Sequence, residues 1–393
     1  MRLHYFTFIS TVILCFVLLF NVPMGILGLP AVEQQEGSFK ITSTEDTISV
    51  AWTDPTGEEL WKVVMHNTGS IKQIVISEFP ILPEPGIGWH IEPGDWHQTW
   101  NFEPERNPVI TEEENYVVVT FSSKGSTNPV SAVTNITICS NGIVFFDSIL
   151  KFNENAPNAK FIGINIRGLP VDEWIGESIY YGTPKGIKIQ KLETTETTGD
   201  FIWYTDMVYW TDWSKELIGM TIICLNPADF STLFRCSDTR AWGGNDYQVR
   251  WAPYLWGAHA FRKDEKYPAH FAIYIHGEGG YQAYLDTINF LVNLGLARDT
   301  AAKAPEAYKD QTAKSIAAQA LPKINSAFEK VYVNDIEGAS ALLEEANSIL
   351  KQAADAEQMA IIKYDLMTLG IVALPIVALI VLAIIKRFLS RKK

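Results

Sequence analysis

Twenty consecutive residues without a charge, Leu366 to Ile385, read LMTLGIVALPIVALIVLAII, and Lys386, Arg387, Arg391, Lys392 and Lys393 follow at once. At ~1.5 Å per residue a helix of that length crosses the ~30 Å hydrocarbon core of a bilayer. A soluble helix rarely stays apolar on every face and then ends in five cations. Pro375 is tolerated inside a membrane helix. A basic cluster beside a span stays on the cytoplasmic side. The run therefore predicts a transmembrane helix over 364–386, a basic cytoplasmic tail over 387–393, and a main domain outside the cytoplasm.

The other end points the same way. Arg2 precedes an uncharged run from Phe6 to Leu29, the pattern of a secretory signal. The run is longer than an ordinary signal core, and no clean small-x-small cleavage site stands near Pro30 and Ala31. Residues 1–32 thus read either as a cleaved signal peptide or as a retained membrane anchor. The chain is expected at the cell membrane, single-pass or two-pass, with residues 33–365 extracytoplasmic and the bilayer as a partner of the C-terminal helix.

Setting aside Arg2 and the five tail cations takes the formal charge from −13 to −19. So acidic a domain repels polyanions and anionic headgroups, and suits a neutral ligand or a cation. No basic stretch exists outside the last eight residues, so nucleic acid is excluded as a partner. The exported part carries Cys139, Cys224 and Cys236. Cys224 and Cys236 are close enough to close a short disulfide loop in an oxidising compartment, and Cys139 reads as a buried thiol. Asn135-Ile136-Thr137 is a glycosylation sequon.

Between the ends the dominant signal is strand. Thr47–Trp52, Leu60–His66, Ile71–Ile76, Tyr116–Ser122, Ala132–Ile138, Ile143–Leu150, Ile187–Leu192, Leu217–Cys224, Tyr247–Ala252 and Ala269–His276 are β-branched and aromatic, and often alternate in polarity. Turn signals such as Asp-Pro-Thr-Gly at 54–57 and Ser-Asn-Gly at 140–142 separate them. No long amphipathic helix interrupts, which disfavours a parallel sheet. Residues 33–295 are expected to form one large antiparallel β-sandwich. From 296 to 363 the chain turns rich in Ala, Glu, Lys and Gln and predicts a helical stalk or hairpin. Pro305 and Pro322 sit where helices could begin, and Asn334 reads as an N-cap. Ile336, Ala339, Leu343, Ala346, Leu350, Ala353 and Ala360 form a seam that either closes a hairpin or makes a homo-oligomer through the stalk.

The strand-turn-strand segments Ser49-Val50-Ala51-Trp52, Leu60-Trp61-Lys62-Val63-Val64-Met65-His66 and Val133–Ser148 resemble the β-supersandwich of galactose mutarotases and of many polysaccharide lyases and glycoside hydrolases. The resemblance covers roughly residues 38–290 and is one of strand order and texture. It implies sugar binding on a sheet, and no catalytic motif carries over with it.

Three clusters hold nine of the 12 tryptophans. The first is Trp89, Trp96 and Trp100. The second is Trp203, Trp210 and Trp213. The third is Trp242, Trp251 and Trp256. Acids stand nearby, Asp246 among them, and Arg250 could clamp a substrate oxygen. Flat rings pack on the C–H face of a sugar while neighbouring polar groups take its hydroxyls; the bland alternative is that these rings fill the core. His90, Glu92 and His97 lie in one short segment and could hold a divalent metal, though their spacing matches no established motif. His276 and Glu278, with His259, could supply an acid and a base. No nucleophile elbow, phosphate-binding loop, dinucleotide fingerprint or paired Cys motif is present. These features predict a membrane-anchored, carbohydrate-binding β-sandwich protein that takes a cell-envelope glycan. The alternatives are a carbohydrate-active epimerase, lyase or hydrolase, or a structural or adhesion component of the envelope.

Overall fold

The structure, a computed structural model, describes residues 36–390 except 93–96, 99–101, 127–128, 156–160, 193–198, 205–206, 216–217, 231–232, 253–260 and 278. Within these, the side chains at 92, 97–98, 161–162, 200, 203, 365–366 and 368–390 lie outside the description.

The strands are β1 (Ser38–Ser43), β2 (Thr47–Thr53), β3 (Glu59–His66), β4 (Ile71–Ile76), β5 (Phe79–Leu82), β6 (Gly86–Glu92), β7 (His97–Gln98), β8 (Phe102–Pro104), β9 (Val109–Glu112) and β10 (Tyr116–Gly125). They continue as β11 (Val130–Cys139), β12 (Ile143–Phe152), β13 (Phe161–Pro170), β14 (Ser178–Thr183), β15 (Gly186–Lys191) and β16 (Asp200–Tyr204). The last five are β17 (Trp210–Ser214), β18 (Gly219–Cys224), β19 (Leu233–Asp238), β20 (Asp246–Ala252) and β21 (Lys266–His276). One sheet of 11 strands runs β1-β2-β3-β4-β6-β13-β20-β19-β16, with β5 on β4 and β7 on β6. A second sheet of 10 strands runs β15-β14-β17-β18-β21-β12-β11-β10-β8, with β9 on β10. Neighbouring strands such as β10, β11 and β12 pair antiparallel over nine registered residues each. This is the expected antiparallel β architecture.

The two sheets enclose one continuous core. Alternate residues of each central strand enter it, for instance Ile87, Trp89 and Ile91 of β6, Val144 and Phe146 of β12, and Tyr247, Val249 and Trp251 of β20. Period-two alternation decides this, since successive side chains of a strand leave on opposite faces. Trp89 Nε1 donates to Ser148 Oγ at 2.8 Å, and that oxygen shares a 2.7 Å hydrogen bond with Thr134 Oγ1. One polar link thus crosses the apolar layer from β6 to β12 and β11. Cys139, Cys224 and Cys236 are all buried free thiols. Cys224 stands on β18 and Cys236 on β19, in different sheets, so the short disulfide loop does not form. Asn135 of the sequon is exposed on β11 and accepts a 2.8 Å hydrogen bond from Thr120 Oγ1.

Helices begin earlier than the composition suggests. They are α1 (Val171–Trp174), α2 (Gly280–Ala283), α3 (Leu285–Ala307), α4 (Gln311–Ala317), α5 (Ala320–Tyr332) and α6 (Ile336–Ser390). Pro305 lies inside α3 rather than at a helix start. Asn334 has φ of 60° and does not cap α6; instead Asp335 Oδ1 accepts from the Gly338 N–H at 2.9 Å. Its short carboxylate reaches the third amide beyond it, the usual N-cap geometry.

The chain divides into two compact units. The larger comprises Ile26–Asp299 and Ser326–Ser340, and so contains both sheets. On the outer face of its second sheet, Phe145 meets Phe328 at 5.7 Å and Tyr332 at 5.2 Å between ring centroids. Asp147, beside it, accepts from His270 Nδ1 at 2.5 Å and Arg298 Nη1 at 3.1 Å. The smaller unit includes Thr300–Asn325 and Ala341–Lys393. Here Ala304, Ala317 and Ala353 are buried together, with Tyr308, Ile316 and Leu350 packed around them. Glu357 accepts the backbone N–H groups of Lys309 and Asp310 at 3.0 and 2.8 Å. Leu343, Ala346 and Ala353 of the seam are covered by the chain itself. Small residues there let neighbouring helices approach closely, which supports the hairpin-like alternative. Among the described residues no helix is long and apolar enough to cross a membrane. The run Leu366–Ile385 falls in the last part of α6, where all side chains but that of Met367 lie outside the described residues.

Candidate functional site

The most polar buried surface of the larger unit is the face of the 11-stranded sheet turned away from the core. Alternation puts it there. Tyr247, Val249 and Trp251 enter the core, so Asp246, Gln248 and Arg250 leave on the other side. The same parity places Arg235 and Ser237 of β19, Asn165 and Arg167 of β13, and His90 of β6 on that face. Yet these side chains are not solvated: His90 is 0% exposed, Asn165 1%, Arg250 2% and Arg235 4%.

Register brings them together. Arg235 is directly opposite Arg250, and Arg250 is opposite Asn165. His90 stands opposite Gly163, and Asn165 opposite Gly88. Two glycines, both buried, thus flank His90 on its own face, as strand glycines do where another group approaches closely. Asn165 Nδ2 lies 3.3 Å from His90 Nδ1. Asn165 Oδ1 has no hydrogen-bond partner among the described residues. Arg250 Nη2 donates to Gln248 Oε1 at 3.1 Å.

Asp246 closes one end of the row. Arg167 grips it with Nε at 3.1 Å and Nη2 at 3.0 Å, the Gly168 N–H donates at 2.9 Å, and Thr239 Oγ1 donates as well. Burial pushes its carboxyl up, but Arg167 and Thr239 more than offset this and hold it below the usual carboxylate value. Asp246 is therefore an anchor that fixes the β13 bend and the turn before β20.

His90 is the reporter of the local field. Burial, then the positive charges of Arg250, Arg235 and Arg167, push its pKa well below the usual imidazole value. It is neutral at neutral pH. The same three guanidiniums repel a cation at His90, and a metal site here would also need Glu92 and His97. The backbone register sets His97 opposite Ile91 and Gln98 opposite His90; the side chains of Glu92 and His97 lie outside the described residues. Among the described residues no group of three His, Cys, Asp or Glu is placed to hold a metal ion.

A pH dependence follows from His90. Its folded pKa lies below its unfolded one, so below pH ~6.5 the unfolded chain binds the proton that the folded chain refuses. Its contribution is fully present above that pH and is lost as pH falls toward the folded value, at about 1.4 kcal/mol per pH unit at most. Denaturant unfolding at pH 7.5, 6 and 5 is expected to show this fall, and His90→Gln is expected to flatten it. An equal slope in the variant would assign the fall to another group, His66 being the next candidate because burial lowers its pKa too.

The tryptophans expected to stack on sugar separate sharply. Trp89, Trp213 and Trp251 are fully buried in the core. Trp213 meets Trp174 edge-on at 5.5 Å, and Trp251 meets Phe234 at 4.7 Å while its Nε1 donates to Val208 O at 3.2 Å. Trp210 is also buried, lying over Gly182, where any Cβ would collide with its ring, and 5.4 Å from the Tyr281 ring. Their faces are occupied by protein, so none offers a platform to a ligand. Trp242 alone of the described candidates is open, at 57% exposure. Trp96 and Trp256 lie outside the described residues.

His276 sits on the outer face of the other sheet, because Phe271, Ile273 and Ile275 of β21 fill the core. Its side chain is 0% exposed. Its Nε2 lies 3.0 Å from Asp212 Oδ1, and Asp212 also accepts from Ser214 at 2.6 Å and Thr221 at 2.7 Å. This is a closed, satisfied network, with Tyr284 stacked on the imidazole at 4.8 Å. His259 and Glu278 lie outside the described residues. Of the sequence candidates, the fold thus gathers His90, Arg250 and Asp246 on one face and leaves His276 on the opposite side of the sandwich. Sequence reasoning missed Arg235, Asn165 and Gln248. The signal was the polar alternation of Leu233-Phe234-Arg235-Cys236-Ser237 and Tyr247-Gln248-Val249-Arg250.

No protein-family model matches the chain, and no curated protein matches it. Among solved structures it weakly resembles known carbohydrate-active folds. Galactose 1-epimerase from Lactobacillus acidophilus is 8% identical, with 62% of this chain and 100% of that one covered at a TM-score of 0.37. A glycosyl hydrolase family 38 protein from Enterococcus faecalis is 10% identical, with 64% and 39% covered at 0.37. An alpha-mannosidase from Enterococcus faecalis is 10% identical, with 64% and 38% covered at 0.38. The chain spans about two-fifths of the length of the last two. Likenesses with TM-scores this low say nothing about activity.

Proposed function

We propose that the protein is a membrane-anchored, extracytoplasmic carbohydrate-binding protein, and that the buried polar groups His90, Asn165, Arg235, Gln248 and Arg250 form the base of its binding site. What supports this reading is the strand register, which gathers five planar hydrogen-bonding groups on one face of one sheet. Amide, imidazole and guanidinium groups held on a sheet match the dense hydroxyls of a sugar ring. The uncharged run Leu366–Ile385 and its five following cations support the anchor.

The arginines sharpen the ligand class. Like charges directly opposite each other on a sheet repel, and Arg235 faces Arg250. A guanidinium fork takes a carboxylate through two parallel hydrogen bonds, so an acidic sugar is the ligand class these arginines suit. The domain as a whole carries −19, the chain's −13 less Arg2 and the five tail cations, and its overall charge suggests a neutral or cationic ligand. Surface charge is screened beyond about 8–10 Å, whereas two buried guanidiniums act at contact range. The local field therefore favours an acidic sugar. An enzymatic alternative would centre on neutral His90 rather than His276.

The test is a glycan array probed with the full chain in nanodiscs, with Arg250→Gln in parallel. Binding to acid-bearing glycans, weakened at least tenfold by the substitution, is expected. Absence of binding to every glycan by a folded protein would refute the reading.

A further inference from the structure

The exposed apolar side chains of α6 just before the uncharged run do not form a stripe. Met359 is 67% exposed, Ile361 38%, Ile362 46%, Tyr364 71% and Met367 56%. At 100° per residue these positions point in five directions that surround the helix. A protein partner or a second helix covers one face, and a sealed core leaves none open. An apolar collar around a single helix fits a medium that surrounds it. Two residues of 359–367 are charged, Lys363 and Asp365; a lysine carries its ammonium to the headgroups while its stem stays in apolar surroundings. Tyr364 is amphipathic in the same sense.

We propose that residues 359–367 are a membrane-interface collar, embedded in the headgroup and upper acyl region of the bilayer, so that the small helical unit rests at the membrane surface instead of standing off on a stalk. This rests on the membrane-anchored reading above. The helix length fits it. From residue 359 to 385 is 27 residues, or about 40 Å, which matches a hydrocarbon core of ~30 Å plus one interfacial layer. A cleft of about 730 Å³ adjoins the collar, lined by Thr312, Ala356, Met359, Ala360 and Ile362, with Asp310 and Lys363 also on its wall. Glu357 accepts the backbone N–H groups of Lys309 and Asp310 beside α6. A lipid chain with a polar head at the rim suits that lining, and the continuity of collar and uncharged run on one helix makes lipid the occupant.

The experiment places single cysteines at Met359, Ile362 and, as a water-side control, Ser348, in the full chain reconstituted into phosphatidylcholine vesicles. Each is labelled with an environment-sensitive fluorophore and quenched by spin-labelled lipid or by aqueous iodide. The native thiols are removed by one substitution background, Cys15→Ala, Cys139→Ala, Cys224→Ala and Cys236→Ala, checked for native unfolding. The collar predicts blue-shifted emission at 359 and 362, strong quenching by shallow spin labels, and at least threefold less iodide quenching than at 348. Iodide quenching at 359 and 362 equal to that at 348, in protein that floats with the vesicles, overturns the collar and leaves the anchor standing. Protein that does not float with the vesicles overturns both. A second variant set, Met359→Gln with Ile362→Gln and a labelled cysteine at Tyr364, is expected to fold normally and to shift that label toward water.

Discussion

Replacing Trp89 with alanine is expected to lower the unfolding free energy of the β domain by about 3–5 kcal/mol. The ring is 0% exposed in the core between the sheets, and its Nε1–H is the donor of the link to Ser148 and Thr134. Removing it leaves a large cavity, and the hydroxyl pair loses a partner inside an apolar layer. Trp89→Phe keeps most of the volume but not the donor and is expected to cost about 1–2 kcal/mol. Trp242→Ala, at a ring 57% exposed, is expected to shift stability by less than about 0.5 kcal/mol. Urea unfolding followed by tryptophan emission gives all three values. A small loss for Trp89→Ala would show that this ring is not a core element.

Asp147→Ala is expected to cost about 2–4 kcal/mol. One carboxylate oxygen takes both His270 and Arg298, and the guanidinium lies 5.1 Å over the Phe328 ring. Burial raises the Asp147 pKa, but the His270 hydrogen bond and the Arg298 charge outweigh it and leave the group below the usual carboxylate value. The group therefore stabilises the fold at pH above ~4 and loses that contribution as pH falls through its folded value. The side chains are 18–26% exposed, so solvent softens the loss relative to a fully dry pair. Asp147→Asn keeps an acceptor and is expected to lose about half as much. Hydrogen exchange along 285–299 should accelerate in both variants, because Arg298 ties that helix segment to β12. Unchanged exchange there would mean that apolar contacts alone hold the segment.

Much of the strand layout is legible in the chain. Ile71–Ile76 is a strand with the bounds its sequence implies, and Thr47–Thr53 and Glu59–His66 differ from expectation by a residue. These segments alternate or run apolar and end in turn residues, so local signals suffice. Phe161–Pro170 and Leu233–Asp238 carry no such clear signal, since glycines, an asparagine and arginines interrupt them. Those interruptions supply residues of the candidate site. A polar residue on the second face of a strand reads as solvated, and only the tertiary structure reveals that the face is covered. Of the two readings of the tryptophans, stacking on sugar or filling the core, strand parity decides for the core at Trp89, Trp213 and Trp251.

The sequence alone therefore determined about half of the strands, which residues share a face within them, and that two uncharged runs flank an acidic middle. These follow from short-range chemistry: alternation, turn propensity and unbroken apolar length. It could not determine which faces are covered, nor that β6, β13, β20 and β19 lie side by side. Residues 90, 165, 235 and 250 meet only because antiparallel pairing across those strands closes long stretches of chain. Non-local pairing carries no local signature, and it is the pairing that turned scattered polar residues into one surface.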